Sequence, residues 1–326
     1  MRFRPTPKPR FGNLDGVRIP PEKWARRIMK WRLGKRYEPV YDDFTNAPAT
    51  PWAGTRAHLE SVPDGTRVTW LGHATNYVEH GAHAVITDPT FGTLAFLKQR
   101  LAPAPLPAHE LPRLDGILIS HNHFDHCDLR SIRSLRARFP DAPIVVPEGL
   151  APWMRSKVGS PVVELPWWET LTLGPFRIHA TPAQHWSTRA GLDICQSHWM
   201  GILMETPSHG VFFAGDTGFG PHFEAIAARL KVDVALLPVG AYAPRWFMRD
   251  QHMNPEDAVA AARILGAHLI PIHWGTYGLA DEPHDEPPRW TEQLAHEAQV
   301  PLSVLRPGGA WSVDEVVGLW QHASPA

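Results

Sequence analysis

ISHNHFDHCD, residues 119–128, closes the apolar run LDGILIS and sets three histidines and two aspartates within ten residues. LDGILIS reads as a buried strand, and the potential ligands begin where it ends. In extended chain, residues i and i+2 point the same way, so His121 and His123 can reach one metal ion together. Asp125 and His126 come as the chain turns away, in place to serve a second ion close by. Imidazole and carboxylate donors suit zinc and related borderline cations, whereas calcium would want oxygen donors alone. Two histidines two apart say little; four candidate ligands in six residues at a strand end say metal.

Composition narrows what such a site could serve. The chain has 326 residues, 43% hydrophobic and 20% charged, with a formal net charge of −1, so a globular core is in prospect and nucleic acid is not an expected partner. Two cysteines, Cys127 and Cys195, offer no disulfide framework. The start, MRFRPTPKPRFGNLDG, is basic and proline-rich without an apolar stretch behind it, which does not read as a signal peptide. No window approaches the roughly 18 apolar residues of a transmembrane segment. The expected location is cytoplasmic, with peripheral attachment to the inner membrane surface left open. Nineteen histidines exceed what one site needs. His58, His80, His83, His209, His284, His296 and His322 stand in polar or turn-like contexts and receive no role.

Residues 1–60 read as an N-terminal extension packing on the main domain or on a membrane surface. Within it, PEKWARRIMKWRLGKRYEP (21–39) reads as a short helix with Trp24, Ile28 and Trp31 on one face and six cations around them. Docking on the main domain is the preferred reading; tryptophan beside lysine and arginine also suits a membrane interface. From about residue 66, strand and helix patterns alternate, which predicts an α/β domain with helices covering sheet faces. The loop 91–107 carries Phe91, Leu94, Phe96, Leu97 and Leu101, and joins 21–36 as the second expected membrane contact.

Other strand ends supply further ligands. HATPAQHWSTR offers His185, VFFAGDTGFG aims Asp216 outward, and HLIPIHWGTYG does the same with His273. Catalytic groups of α/β sheets gather beyond strand ends, so the common placement is mutually supporting. A lone histidine is usually a satisfied loop residue; the set is not.

His121-Asn122-His123-Phe124-Asp125-His126, with His185, Asp216 and His273, resembles the metallo-β-lactamase superfamily. The resemblance implies a four-layer αββα sandwich over residues 61–326 and a site for two Zn2+ ions. His121, His123 and His185 would hold the first zinc, Asp125, His126 and His273 the second, and Asp216 would bridge them. Histidine rather than glutamate at position 123 departs from the di-iron flavoprotein branch.

TWLGHAT, TDPTF, LISHNHFDH, ELPWWE, TPAQHWSTR, GAYAPRWFM and QHMNPEDAV go further. Over roughly residues 66–280 they resemble the N-acylphosphatidylethanolamine-hydrolysing phospholipase D family. The match implies a phospholipid substrate, cleaved to phosphatidic acid and an N-acylethanolamine through a metal-bridging hydroxide, with Asp125 and Asp216 as catalytic carboxylates orienting the nucleophile. A homodimer is compatible with the sequence. Around the site, Asp88 in ITDPTF is read as an orienting carboxylate or an Asp-Pro turn residue, and His73 as lining the site or satisfying a strand end. Gln251 and His252 precede a helix start where Asn254 is a natural N-cap; capping is the default reading there, and both are also candidates to support the metal ligands or meet substrate. RWFM (245–248) reads as core, and Cys127 as a small buried residue. Two other functions stay open: a hydrolase of the same fold acting on a soluble molecule, as lactonase or phosphodiesterase, and a non-catalytic lipid-binding protein.

Overall fold

Alternation along the strands decides the architecture. In a computed structural model describing residues 10–17, 29–30, 51–94, 99–159, 161–189, 191 and 193–313, neighbouring strand residues enter different hydrophobic clusters. Val68 and Trp70 join one cluster and Leu71 the other; Val85 separates from Ala84 and Ile86, and Val145 from Ile144 and Val146. Successive side chains of a strand face opposite ways, so this sheet is buried on both faces.

That sheet contains β1 (Thr66–Gly72), β2 (Thr75–His80), β3 (His83–Thr87), β4 (Gly116–Leu118), β5 (Ile144–Val146), β6 (Val162–Glu164) and β13 (Ala310–Ser312), in the order β13-β1-β2-β3-β4-β5-β6. The second contains β7 (Thr170–Leu173), β8 (Phe176–Thr181), β9 (Gly201–Glu205), β10 (Gly210–Phe213), β11 (Val234–Pro238) and β12 (His268–Ile272), in the order β12-β11-β10-β9-β8-β7. β3 to β6 pair in parallel, as do β10 to β12. Antiparallel pairing through β2 and through β9 makes β1 run with β3, and β8 with β10. The C-terminal ends of β1, β3 and β4 therefore share one edge of the first sheet, and those of β8, β10 and β12 one edge of the second.

Helices close the outer faces. Besides α1 (Thr55–Glu60), α2 (Leu129–Arg138) starts on Asp128, whose side chain accepts from the amides of Arg130 and Ser131, and buries Ile132 and Leu135 beside α3 (Ala151–Val158). On the other side lie α4 (His222–Ala227), α5 (Arg245–Met248), α6 (Pro255–Leu265) and α7 (Glu286–Glu297). A capping box between Asn254 and Asp257 opens α6, and Gly266 closes it at φ 63°, a left-handed turn that glycine adopts without a Cβ clash. Its buried Ala258, Ala261 and Ala262 let it lie close on β11 and β12. The result is the αββα sandwich that the sequence implied.

Several segments differ from expectation in which way they face. Leu94, Ala102 and Leu106 are buried, so the described part of 91–107 packs inward instead of presenting an apolar surface. Phe96 and Leu97, and all of the helix expected over 21–36 except Met29 and Lys30, lie outside the described residues. In RWFM, Phe247 and Met248 are core but Trp246 is 43% exposed. α1, at the end of the expected extension, packs on the main body: Leu59 is buried in the outer cluster and Thr55 Oγ1 donates to the Gly308 carbonyl. Among the described residues no helix is long and apolar enough to cross a membrane.

Candidate metal centre

Chain geometry at the strand ends turns the side chains toward one another. His73 follows β1 at φ 54°, Asp88 follows β3 at φ 35°, and His273 follows β12 at φ 64°. Asp216 comes after Gly215, itself at φ 63° beyond β10. Left-handed backbone is uncommon for residues with a Cβ and costs about 1–3 kcal/mol where it is held. Here it swings each side chain off its strand axis and over the gap between the sheets.

Two four-residue sets of ligand atoms result, each lying within 4.8 Å of one another: His121, His123, His185 and Asp216, and His73, Asp125, His126 and His273, beside the triad Asp88, His121 and His126. In the first, His121 Nε2 is 2.8 Å and His185 Nε2 3.2 Å from His123 Nδ1. Asp216 reaches both sets. Its Oδ2 is 3.8 Å from His185 Nε2, 4.0 Å from His121 Nε2 and 3.1 Å from His126 Nε2, and its Oδ1 is 3.1 Å from His273 Nε2. Asp125 Oδ2 lies 3.5 Å from His126 Nε2 and 3.9 Å from His273 Nε2. Ligands on a tetrahedral zinc at about 2.0–2.1 Å stand roughly 3.4 Å apart, the middle of this range.

Proton positions identify which atoms carry lone pairs. His126 Nδ1 donates to Asp88 Oδ2 at 2.7 Å, and His185 Nδ1 donates to the Gln251 carbonyl at 3.0 Å. Ser120 Oγ donates to Asp88 Oδ2 and so accepts from His121 Nδ1, 2.9 Å away. The Nε2 atoms of all three rings are directed inward, bare on His121 and His185, while on His126 a proton held by the Asp216 and Asp125 carboxylates stands where a cation would. His126 Nε2, His273 Nε2 and Asp216 Oδ1 are buried with no hydrogen-bond partner among the described atoms. Converging lone pairs and unpartnered buried acceptors repel each other unless a cation stands among them. The donor set fits zinc.

The electrostatics agree. Burial pushes His121 and His185 well below the ordinary imidazole range, His123 to about 4 and His273 to about 3, which favours the neutral rings that a metal ion requires. Burial also works against charge on His126, but Asp216 and Asp125 beside it carry it well above that range. Burial opposes ionisation of Asp125 and Asp216, and the imidazoles, His126 first, hold both well below the usual carboxylate range. Two ionised carboxylates at the edge of a protein core call for positive charge between them.

Each residue expected at the site is present there. Asp88 is fully buried and accepts from Ser120 N at 2.7 Å as well as from Ser120 Oγ and His126, so it orients His121 and His126 together. His73 Nε2 is 3.0 Å from Asp125 Oδ2, and its ring lies 4.0 Å from that of His273, within ligand reach of the second set. Gln251 contributes its backbone carbonyl to His185. His252 does not cap: Asn254 does, and His252 turns to the site with Nδ1 unpartnered and 3.8 Å from Asp216 Oδ2. Burial lowers it to about 4.

Two contributors gave no signal in sequence. Ser120 is an ordinary strand residue until Asp88 and His121 fold against it. Arg189 Nη1 donates to three carbonyls of the ligand turn, those of Asn122 at 3.1 Å, His123 at 3.3 Å and Cys127 at 2.7 Å, with its guanidinium 4.0 Å from the Phe124 ring centre. Only its place in TPAQHWSTR, four residues after His185, put it near the site.

Comparison with known proteins bears on this geometry. A profile of the Beta-lactamase superfamily domain matches residues 83–274. The chain is 36% identical over 244 residues to the N-acyl-phosphatidylethanolamine-hydrolyzing phospholipase D, mitochondrial, of Saccharomyces cerevisiae, covering 70% of this chain and 51% of that protein. It therefore spans about half the length of the yeast relative. It is 34% identical over 249 residues to N-acyl-phosphatidylethanolamine-hydrolyzing phospholipase D 1 of Caenorhabditis elegans, covering 71% and 69% respectively. Among solved structures, Igni18, a metallo hydrolase of Ignicoccus hospitalis, superposes with a TM-score of 0.60 over 76% of this chain and 97% of its own, at 20% identity, a likeness of fold alone.

Proposed function

The chain belongs to the N-acylphosphatidylethanolamine-hydrolysing phospholipase D family of the beta-lactamase superfamily and is a metal-dependent hydrolase, and from that premise we propose that it is a di-zinc phosphodiesterase cleaving N-acylphosphatidylethanolamine to phosphatidic acid and N-acylethanolamine. The observation that carries the chemistry is the pair of ligand sets joined by Asp216, with bare nitrogens converging from the ends of both sheets. A pair of zinc ions supplies Lewis acidity toward phosphoryl oxygens and a nucleophile from water at neutral pH.

His121, His123, His185 and Asp216 would hold one ion, and Asp125, His126, His273 and Asp216 the other. Asp125 is the more open of the two carboxylates, its side chain 18% exposed, and His73 fixes its Oδ2. With Asp216 it orients the attacking water. The water oxygen bonds to phosphorus and the bond to the N-acylethanolamine oxygen breaks. His252, whose ring lies 5.3 Å from His185, offers its ring nitrogen to a substrate phosphoryl oxygen. Asp88, Gln251 and Arg189 keep the ligands in place and do not meet substrate.

A lipid substrate is supported by the names of the two relatives and by two exposed aromatic residues close in sequence to site residues. Phe219, three residues after Asp216, is 36% exposed, and Trp246, on the helix leading to Gln251 and His252, is 43% exposed with Lys30 Nζ 4.7 Å from its ring centre. Exposed aromatics beside a lysine suit the boundary of a lipid surface. The test is incubation of the zinc-loaded protein with N-acylphosphatidylethanolamine, phosphatidylethanolamine and a soluble phosphodiester, with products read by mass spectrometry. Release of N-acylethanolamine and phosphatidic acid is expected. Turnover of the soluble diester alone would overturn the lipid assignment and leave the metal centre standing.

A further inference from the structure

We propose that Asn13 is a positioning residue of the metal centre, holding the backbone of His185 so that its Nε2 meets the other ligands; this rests on the metal reading of the site. His185 has no strand ladder of its own to hold it. It stands four residues beyond the end of β8, at Thr181, on chain that has left the sheet ladder. Its backbone N–H is taken by the side chain of Asn13, Oδ1 accepting at 2.9 Å across 172 residues of sequence. The same oxygen accepts from Trp199 Nε1 at 2.9 Å, and Trp199 Nε1 also donates to the carbonyl of Ala183. Asn13 thus ties together both ends of the loop that carries His185. By contrast, His273 N donates to the His73 carbonyl and His126 N to that of His123, inside the site's own turns.

The amide orientation follows from its neighbours. Asn13 Nδ2 donates to the Val17 carbonyl at 2.8 Å, so a flipped amide would set its NH2 against two N–H donors and its oxygen against a carbonyl. The segment is docked independently of that side chain. Arg10 N and Phe11 N both donate to the Cys195 carbonyl, and the Phe11 ring stacks 4.7 Å from His198, which stacks 3.9 Å from Trp167. Removing Asn13 Oδ1 leaves the His185 amide, in a residue 1% exposed, without its acceptor. The loop then moves to find another. His185 Nδ1 is fixed on the Gln251 carbonyl, so a backbone shift appears at Nε2, the atom 3.2 Å from His123 Nδ1.

The experiment uses the full chain as wild type, Asn13→Ala and Asn13→Asp, with three measurements: zinc affinity by chelator competition, the visible spectrum of the Co2+-substituted protein, and hydrogen exchange of the peptide containing His185. Loss of a supporting hydrogen bond of this kind lowers metal affinity about 10–100-fold. We expect that loss in N13A, with altered Co2+ bands and faster exchange at His185. N13D keeps an oxygen facing both donors but sets its second oxygen against the Val17 carbonyl, so it should restore the spectrum in part, which a general destabilisation would not do. Wild-type affinity and spectrum in N13A overturn the proposal, as does equal impairment of N13A and N13D. Should N13A fail to fold, Asn13→Gln displaces the same oxygen by one methylene, and an unchanged spectrum there overturns it equally. A wild-type chain that binds neither ion overturns the metal reading itself and Asn13's role with it; binding by wild type and N13A alike overturns the Asn13 assignment alone.

Discussion

Replacing Asp88 with Asn should disable both ligand sets through a change of proton positions, with almost no change of shape. Asp88 is fully buried and offers Oδ1 to Ser120 N and Oδ2 to Ser120 Oγ and His126 Nδ1. Asn can place its oxygen on Ser120 N, but its NH2 then faces two donors. His126 must surrender the Nδ1 proton and keep the Nε2–H that faces Asp216, so a metal no longer gains the lone pair it needs by release of that proton alone. Ser120 Oγ, now receiving an N–H from the new amide, turns its own proton toward His121 Nδ1 and flips that ring's tautomer as well. Each metal thus binds only after a ligand changes tautomer. A 10–100-fold loss of affinity is typical for such a partner, which at about 1.4 kcal/mol per tenfold is about 1.4–2.8 kcal/mol for each ion. Stepwise zinc titration against a chelator measures the loss, and 15N chemical shifts of His121 and His126 in the metal-free protein report the tautomers. Wild-type affinity for both ions, or wild-type tautomers accompanied by weak binding, would refute the reasoning.

Three further substitutions probe other levels of the structure. Arg189→Lys keeps the charge but loses the planar group that gathers the Asn122, His123 and Cys127 carbonyls; metal affinity should fall about tenfold while melting of the metal-free protein changes little, and unchanged affinity would count against the clamp. Glu79→Ala strips the carboxylate from Arg67 and Arg113, whose guanidinium nitrogens lie 2.7 Å and 2.6 Å from it in the interior. Two uncompensated cations should cost about 3–5 kcal/mol by urea unfolding, and a loss below about 1 kcal/mol would mean that both side chains escape to water. His222, 3% exposed, is pushed down to about 3 by burial, whereas the unfolded chain takes the proton near 6.5. Because the folded-state value is the depressed one, the stabilisation is whole above pH 6.5 and is lost as pH falls toward 3. Between pH 7 and 5 wild type should lose about 2 kcal/mol relative to His222→Gln, and parallel pH profiles would exclude a buried neutral imidazole.

How much could be read beforehand follows from the range over which each signal acts. The run from His121 to His126 is legible because its ligands are neighbours in sequence and the strand before it is apolar. His185, Asp216 and His273 are legible for the same local reason, each lying just beyond a buried strand. An α/β domain was legible from alternation of strands and helices, and the four layers only from the family resemblance. What escaped depends on facing or on distance. Apolar composition in 91–107 does not say which side the chain buries, and Leu94 and Leu106 turned inward. Trp246 turned outward while its neighbours Phe247 and Met248 packed. Asn254 caps as expected, but a capping pattern does not decide whether the residue two places before it turns to the cap or to the site, and His252 faces the candidate metal centre. Asn13 and Arg189 act through backbone atoms far along the chain, where the residue type carries no trace of its partner.

Rigidity and linkage at the site have one origin. His73, Asp88 and His273 hold left-handed backbone that each would leave if free, and the flanking strands prevent it because both faces of those strands are packed. The ligands are therefore presented before any ion arrives, and the energy of binding is not spent on ordering them. Asp88 then couples the two sets, since one carboxylate fixes His121 through Ser120 and His126 directly. Asp216 couples them again from the other sheet, with oxygens directed at both. An ion in the first set fixes the Asp216 carboxylate with its other oxygen directed at the second, and so raises the affinity of the second. The two ions are expected to load cooperatively, a property that belongs to the joining carboxylates and to neither cluster of histidines alone.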